Sequence, residues 1–132
     1  MWLFVYGTLR PGHWNFRMLE RAVTECHENA MTTGALYHVG GGSDEHPIYP
    51  VAKLDETGLL FGTLLLVDDL HVGVERARRM EIGAGYEERT IQVVVGTRTI
   101  PAVAFHYRHE PSGPQIASGD WNDIAEQEDS HE

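Results

Sequence analysis

Among the 132 residues there is a single cysteine, Cys26, so no internal disulfide can form and nothing in the sequence points to an oxidising compartment. No apolar run approaches the ~20 residues that a membrane-crossing helix requires. The apolar start, Trp2–Tyr6, is short, lacks a basic flank and runs straight into Gly7, unlike a secretion signal. Basic residues are scarce as well: ten Lys and Arg stand against 20 Asp and Glu, for a net charge of −10. Binding a phosphate backbone needs clustered cations, so nucleic acid is not an expected partner. What remains is a cytoplasmic protein with no membrane association and a small-molecule or protein partner.

What is there suits one globular core. The hydrophobic fraction is 42% and the charged fraction 23%, ordinary values for a single domain of this length. The domain is expected over residues 1–122. Residues 123–132 are acidic and nearly devoid of apolar side chains, and read as a frayed tail.

Along the chain, Trp2–Tyr6 reads as a buried strand that Gly7 and then Pro11-Gly12 close. Phe16, Leu19 and Val23 have helical spacing, predicting a helix from His13 to about Val23. Ala30–Tyr37 reads as a strand, and 40–50 (GGGSDEHPIYP) as a loop. Leu59–Val67 is an apolar strand with Gly62 as a bulge or close-approach point. Asp68-Asp69 offers an N-cap for a helix from about Leu70 to Glu81, with Leu70, Val74, Ala77 and Glu81 on one stripe. Arg89–Val95 and Thr99–Tyr107 alternate and are joined at hairpin length through Gly96. Five or so strands, partly paired as hairpins, with two helices predict an α+β domain on a curled sheet or small barrel.

Two places carry chemistry. The segment VYGTLRPG (5–12) ends a buried strand at glycine, where successive backbone N–H groups can hold a carboxylate or a developing oxyanion; an ordinary turn explains the same residues. Glu81 falls on the inward stripe of its helix, where desolvation raises a carboxyl pKa towards the range useful for proton shuttling. Its alternative is an ordinary solvated helix-end glutamate, or a pair with Arg78 at i,i+3. His106 and His109 have no converging ligand set, so no metal is expected. The glycines at 40–42 lack the lysine and following helix of a phosphate loop. Trp2, Trp14 and Trp121 read as core or lid residues.

Taken in order, VYGTLRPG, GALY (34–37), YP (49–50), LLFGTLLLVDD (59–69), E-x4-Y-x2-R (81–89) and IASGDW (116–121) resemble the gamma-glutamylcyclotransferase-like family, which includes avirulence-induced plant proteins and gamma-glutamylamine cyclotransferase. The resemblance implies an α+β fold, a small mixed β-barrel with flanking helices. It implies a substrate loop at Tyr6, Gly7, Thr8 and Leu9, a catalytic Glu81, and Tyr86 beside the substrate, with no cofactor. The implied reaction cyclises a small gamma-glutamyl amine or amino acid to 5-oxoproline. Where family members carry Asp three residues before the glutamate, this chain has Arg78, a potential partner that would lower the Glu81 pKa. A catalytically idle gamma-glutamyl binding module, or removal of a gamma-glutamyl protecting group in natural-product biosynthesis, are the other readings.

Overall fold

The apolar run Leu59–Val67 organises the structure, a computed structural model that describes residues 1–39 and 49–123. This strand, β5, lies between β1 (Trp2–Val5) and β2 (Val23–Thr33). A strand with neighbours on both edges and both faces covered needs near-continuous apolar character, and Leu60, Leu64 and Leu65 are fully buried. The barrel closes in the order β1-β5-β2-β6-β7, with β6 at Tyr86–Val95 and β7 at Arg98–Tyr107. All neighbours are antiparallel except β1 and β7, whose parallel contact at Leu3 and Val103 completes the ring. A mixed, closed barrel on an α+β chain is the architecture the sequence implies.

The β6–β7 hairpin turns through Gly96-Thr97, with Val95 opposite Arg98 and Gly96 at φ +60. A two-residue connection takes a residue of positive φ at its first central position, which glycine adopts without strain. Gly62 is a close-approach point: a Cβ there would press on the Phe4 ring and the Val5 carbonyl.

A second, two-stranded sheet joins β3 (Ala35–Val39) to β4 (Tyr49–Lys53). It corrects two expectations. The strand expected over Ala30–Tyr37 is divided at Gly34, its first part belonging to a much longer β2 and its second to β3. The polar, exposed stretch Thr24–Asn29 gives no alternation from which β2 could be read, since its pairing comes from β5. Tyr49 and Pro50 lie in strand β4 instead of a loop; positions 40–48 and the expected tail from 124 lie outside the described residues.

The expected helix over 13–23 is two short 3-10 helices, Trp14–Met18 and Glu20–Ala22. Bonds from Leu19 N–H to Phe16 O and from Ala22 N–H to Leu19 O, each 2.8 Å, have the three-residue period of such turns, and Val23 joins β2. The α-helix α1 runs Val72–Gly83, two residues later than expected at each end. Its cap is His71, whose Nδ1 accepts from Gly73 N–H at 3.0 Å, while the Asp68 carboxylate accepts from Leu70 N–H. Leu70 is therefore outside the helix and 91% exposed, whereas Val74 and Ala77 carry the buried stripe that leads to Glu81.

Candidate active site

At one side of the barrel, β1 runs out into a turn over Gly7–Arg10, closed by Arg10 N–H to Gly7 O at 3.0 Å. This turn, β4, the last turn of α1 and the first residue of β6 surround a pocket of about 260 Å³, small but sufficient for a metabolite-sized ligand. Its lining brings together Tyr6, Gly7, Thr8, Leu9, Glu81 and Tyr86, residues up to 80 positions apart in the chain. Phe4, Val5 and Phe105 form its buried floor.

Glu81 is the one charged side chain among the described lining residues. It is half-buried at the pocket wall, and desolvation by the surrounding apolar atoms raises its pKa to about 7. Arg78 does not pair with it. The guanidinium forks onto Glu88 on β6, with Nε 2.5 Å from Oε1 and Nη2 3.0 Å from Oε2. Bidentate geometry on a strand that packs against α1 outcompetes an i,i+3 pair along one helix. The potential pKa-lowering partner is thus engaged elsewhere.

Two tyrosines flank the acid. The Tyr6 hydroxyl donates to Phe105 O at 2.7 Å and the Tyr86 hydroxyl to Pro50 O at 2.9 Å, both buried. Burial, together with the charge of Glu81, raises the pKa of each phenol. With their protons committed to backbone carbonyls, both oxygens can only accept further hydrogen bonds. This wall of the pocket is acceptor in character.

The turn supplies the opposite polarity. Among the described residues, the amides of Thr8 and Leu9 make no intramolecular hydrogen bond, so these donors stay free beside the pocket they line. The turn itself is tied down from outside: Asn15 N–H donates to Thr8 O at 3.1 Å, and Asn15 Nδ2 donates to Thr8 Oγ1 at 2.9 Å.

Gly7 is required by packing. A Cβ at this position would overlap the Pro50 ring, so strand β1 and strand β4 approach through the missing side chain. Pro50 is thereby fixed twice, by contact with Gly7 and by the Tyr86 hydroxyl on its carbonyl. Sequence reasoning did not single out Pro50, although it belongs to the Tyr-Pro pair that contributes to the family pattern. Nor did it place Trp14, Asn15, Tyr49 and Met80 at the pocket; all four lie on segments whose type or bounds in the structure differ from those the sequence predicts.

Arg10 points away from the pocket. Its buried side chain donates from Nη1 to Asp120 Oδ1 at 2.8 Å and from Nε to Thr63 Oγ1 at 3.2 Å, in a second concavity. His106 is buried, accepting through Nδ1 from Leu54 N–H at 3.0 Å, while His109 is exposed. Among the described residues, no three His, Cys, Asp or Glu side chains converge as a metal site, and no helix is long and apolar enough to cross a membrane.

A closed mixed barrel whose pocket sets one desolvated carboxylate between free amides and acceptor oxygens defines a class: small α+β proteins with a metabolite-sized site centred on a single desolvated acid. The chain belongs to the gamma-glutamyl cyclotransferase, AIG2-like family, whose profile matches residues 3–123. Solved structures agree in fold. An uncharacterised protein from Pyrococcus horikoshii is 26% identical, with 99% of this chain and 98% of that chain covered and a TM-score of 0.69. The protein YkqA from Bacillus subtilis is also 26% identical, at a TM-score of 0.72; the match covers 98% of this chain and 42% of that one. An AIG2-like protein from Mus musculus shares the fold at 17% identity, a TM-score of 0.63, and coverage of 88% and 85%. No curated protein matches the sequence.

Proposed function

We propose that this protein cyclises gamma-glutamyl compounds, with Glu81 as the single acid/base, releasing 5-oxoproline and an amine. The observation that carries the reading is Glu81 itself: a carboxyl with a pKa of about 7 and no cation beside it among the described residues, in a pocket walled by Tyr6–Leu9 and Tyr86. Membership of the family supports the general activity.

The reaction is an intramolecular aminolysis. The substrate's α-ammonium loses a proton to ionised Glu81, and the freed amine attacks the side-chain carbonyl carbon, forming the ring C–N bond. Collapse of the tetrahedral intermediate breaks the amide C–N bond as the leaving nitrogen takes that proton back from Glu81, and the extra proton on the ring nitrogen passes through Glu81 to the released amine, which departs as an ammonium. No net proton or water is consumed. A carboxyl with pKa near 7 is efficient in both directions near neutral pH. Polarity around it suits a glutamyl head group: the acceptor-only oxygens of Tyr6 and Tyr86 match its ammonium, and the Thr8 and Leu9 amides match its carboxylate or the developing oxyanion. Holding the chain in a ring-closing conformer supplies proximity.

The Arg78 departure, which permits the reading of an idle binding module, does not bear on Glu81 directly, since its guanidinium is engaged by Glu88. The experiment is incubation of the protein with a panel of gamma-glutamyl amines and amino acids, followed by quantification of 5-oxoproline. Stoichiometric 5-oxoproline and amine is the expected result. Free glutamate as the product would mean hydrolysis and would defeat the proposal.

A further inference from the structure

The pocket has an apolar mouth that the reaction's acid/base and head-group contacts do not use. Trp14 lines the pocket yet is 57% exposed, and Tyr49 lines it at 37% exposed. Large aromatic surface left open in one place is surface available to a ligand. Trp14 is not there for the core: none of the residues Trp14–Met18 is buried. It is held in register with the substrate loop instead, since the next residue, Asn15, makes two hydrogen bonds to Thr8. Met80 completes the mouth from the helix side, one residue before the acid.

We infer that the mouth is a subsite for the leaving amine, and that it selects an uncharged, aromatic-bearing amine over an amino acid. The inference rests on the cyclotransferase reading for where the leaving group emerges. With the head group between the Thr8–Leu9 amides and the tyrosine oxygens, the floor of Phe4, Val5 and Phe105 blocks the inner end, so the leaving group extends outward past Trp14 and Tyr49. Two aromatic rings there favour a ring on the ligand, by offset or edge contacts.

Charge decides against an amino acid. An amino-acid leaving group carries a second carboxylate. No Arg, Lys or His is among the described lining residues, Glu81 sits at the wall, and the chain's net charge is −10. A second carboxylate would be desolvated at the mouth with no partner.

Four substrates separate these terms. Gamma-glutamyl phenethylamide and gamma-glutamylphenylalanine differ by one carboxylate; the phenethylamide and the ethylamide differ by the ring; gamma-glutamylputrescine adds a free ammonium. The expected order of kcat/KM places the phenethylamide first, with the phenylalanine and ethylamide compounds each lower by roughly tenfold or more. Trp14→Ala should reduce the phenethylamide-to-ethylamide ratio by about tenfold, and Trp14→Phe should restore most of it. Trp14 is exposed, so folding is not at stake, and Tyr49→Ala gives an independent, smaller loss of the same ratio.

Binding of the four compounds to Glu81→Gln, measured by calorimetry, keeps the subsite and the reaction apart. The same order in binding, with no 5-oxoproline from wild type, would leave the subsite standing and remove the cyclotransferase reading. Turnover of all four with gamma-glutamylphenylalanine or gamma-glutamylputrescine best would leave the reaction standing and overturn the subsite. Failure of all four compounds to bind or turn over would overturn both.

Discussion

The turn that follows β1 faces two concavities with opposite electrostatic settlements. Tyr6–Leu9 line one, where Glu81 has no counter-charge among the described residues; Arg10 and Pro11 line the other, where Arg10 is matched by Asp120 and Thr63. The second is the larger, at about 410 Å³ against 260 Å³, yet its buried charge is spent on a structural pair. The smaller holds a desolvated carboxyl, Glu81, whose pKa is raised to about 7. Under the proposed function, what marks the reactive site is a titratable group with no counter-charge among the described residues, and not size. Sending Arg10 to the far side of the turn also keeps a guanidinium away from Glu81, and so preserves the desolvated, near-neutral pKa.

The comparison breaks hardest at Glu81. Glu81→Gln retains size and polarity but exchanges no proton, so 5-oxoproline release should fall by roughly 10²–10⁴-fold, with an unchanged circular dichroism spectrum. Activity within threefold of wild type would remove Glu81 from the mechanism.

Gly7→Val tests the shared wall. The new side chain must displace Pro50, costing about 2–3 kcal/mol of stability by overpacking and disturbing the carbonyl that holds Tyr86. A lowered melting temperature together with at least tenfold weaker 5-oxoproline binding is expected. An unaffected melting temperature would show that Pro50 is not fixed as described.

Arg10→Gln acts on the other concavity. It strips Asp120 and Thr63 of their partner, and because Asp120 is partly open to solvent the loss should be about 2 kcal/mol in denaturant unfolding. Since Arg10 does not reach the reactive pocket, KM should stay within about threefold. A large rise in KM at unchanged stability would assign the arginine to substrate after all.

The smallest effect is a pH slope. Glu81 has a folded pKa of about 7, raised from 4.5, so between those values the folded chain binds more protons than the unfolded one. Stability must then decline as pH rises through that window, and the decline is complete above pH 7. Solvent entering the mouth limits this to on the order of 1 kcal/mol. Relative to wild type, Glu81→Gln should gain stability between pH 5 and pH 8, read from paired melting curves. A stability difference that does not change with pH would mean Glu81 titrates normally.

The sequence alone determined the local patterns that physical periodicity enforces. The run Leu59–Val67 had to be a strand with both faces covered, the alternating segments around Gly96 had to pair, and Val74 and Ala77 aimed the helical stripe so that Glu81 followed inward. Its boundaries failed where local pattern was weak. Polar Thr24–Asn29 is a strand only because β5 pairs with it, and the three-residue period over 14–22 supports 3-10 turns as well as an α-helix. The tertiary structure decided who partners whom. Arg78 lies three residues from Glu81 but binds Glu88; Arg10 directly follows the pocket-lining Tyr6–Leu9 but binds Asp120, 110 residues away; Gly7 is glycine because Pro50 occupies its side-chain space. Spacing along a chain states which charges can meet. Which ones do depends on distance, geometry and desolvation in three dimensions, and these are set only when the barrel closes.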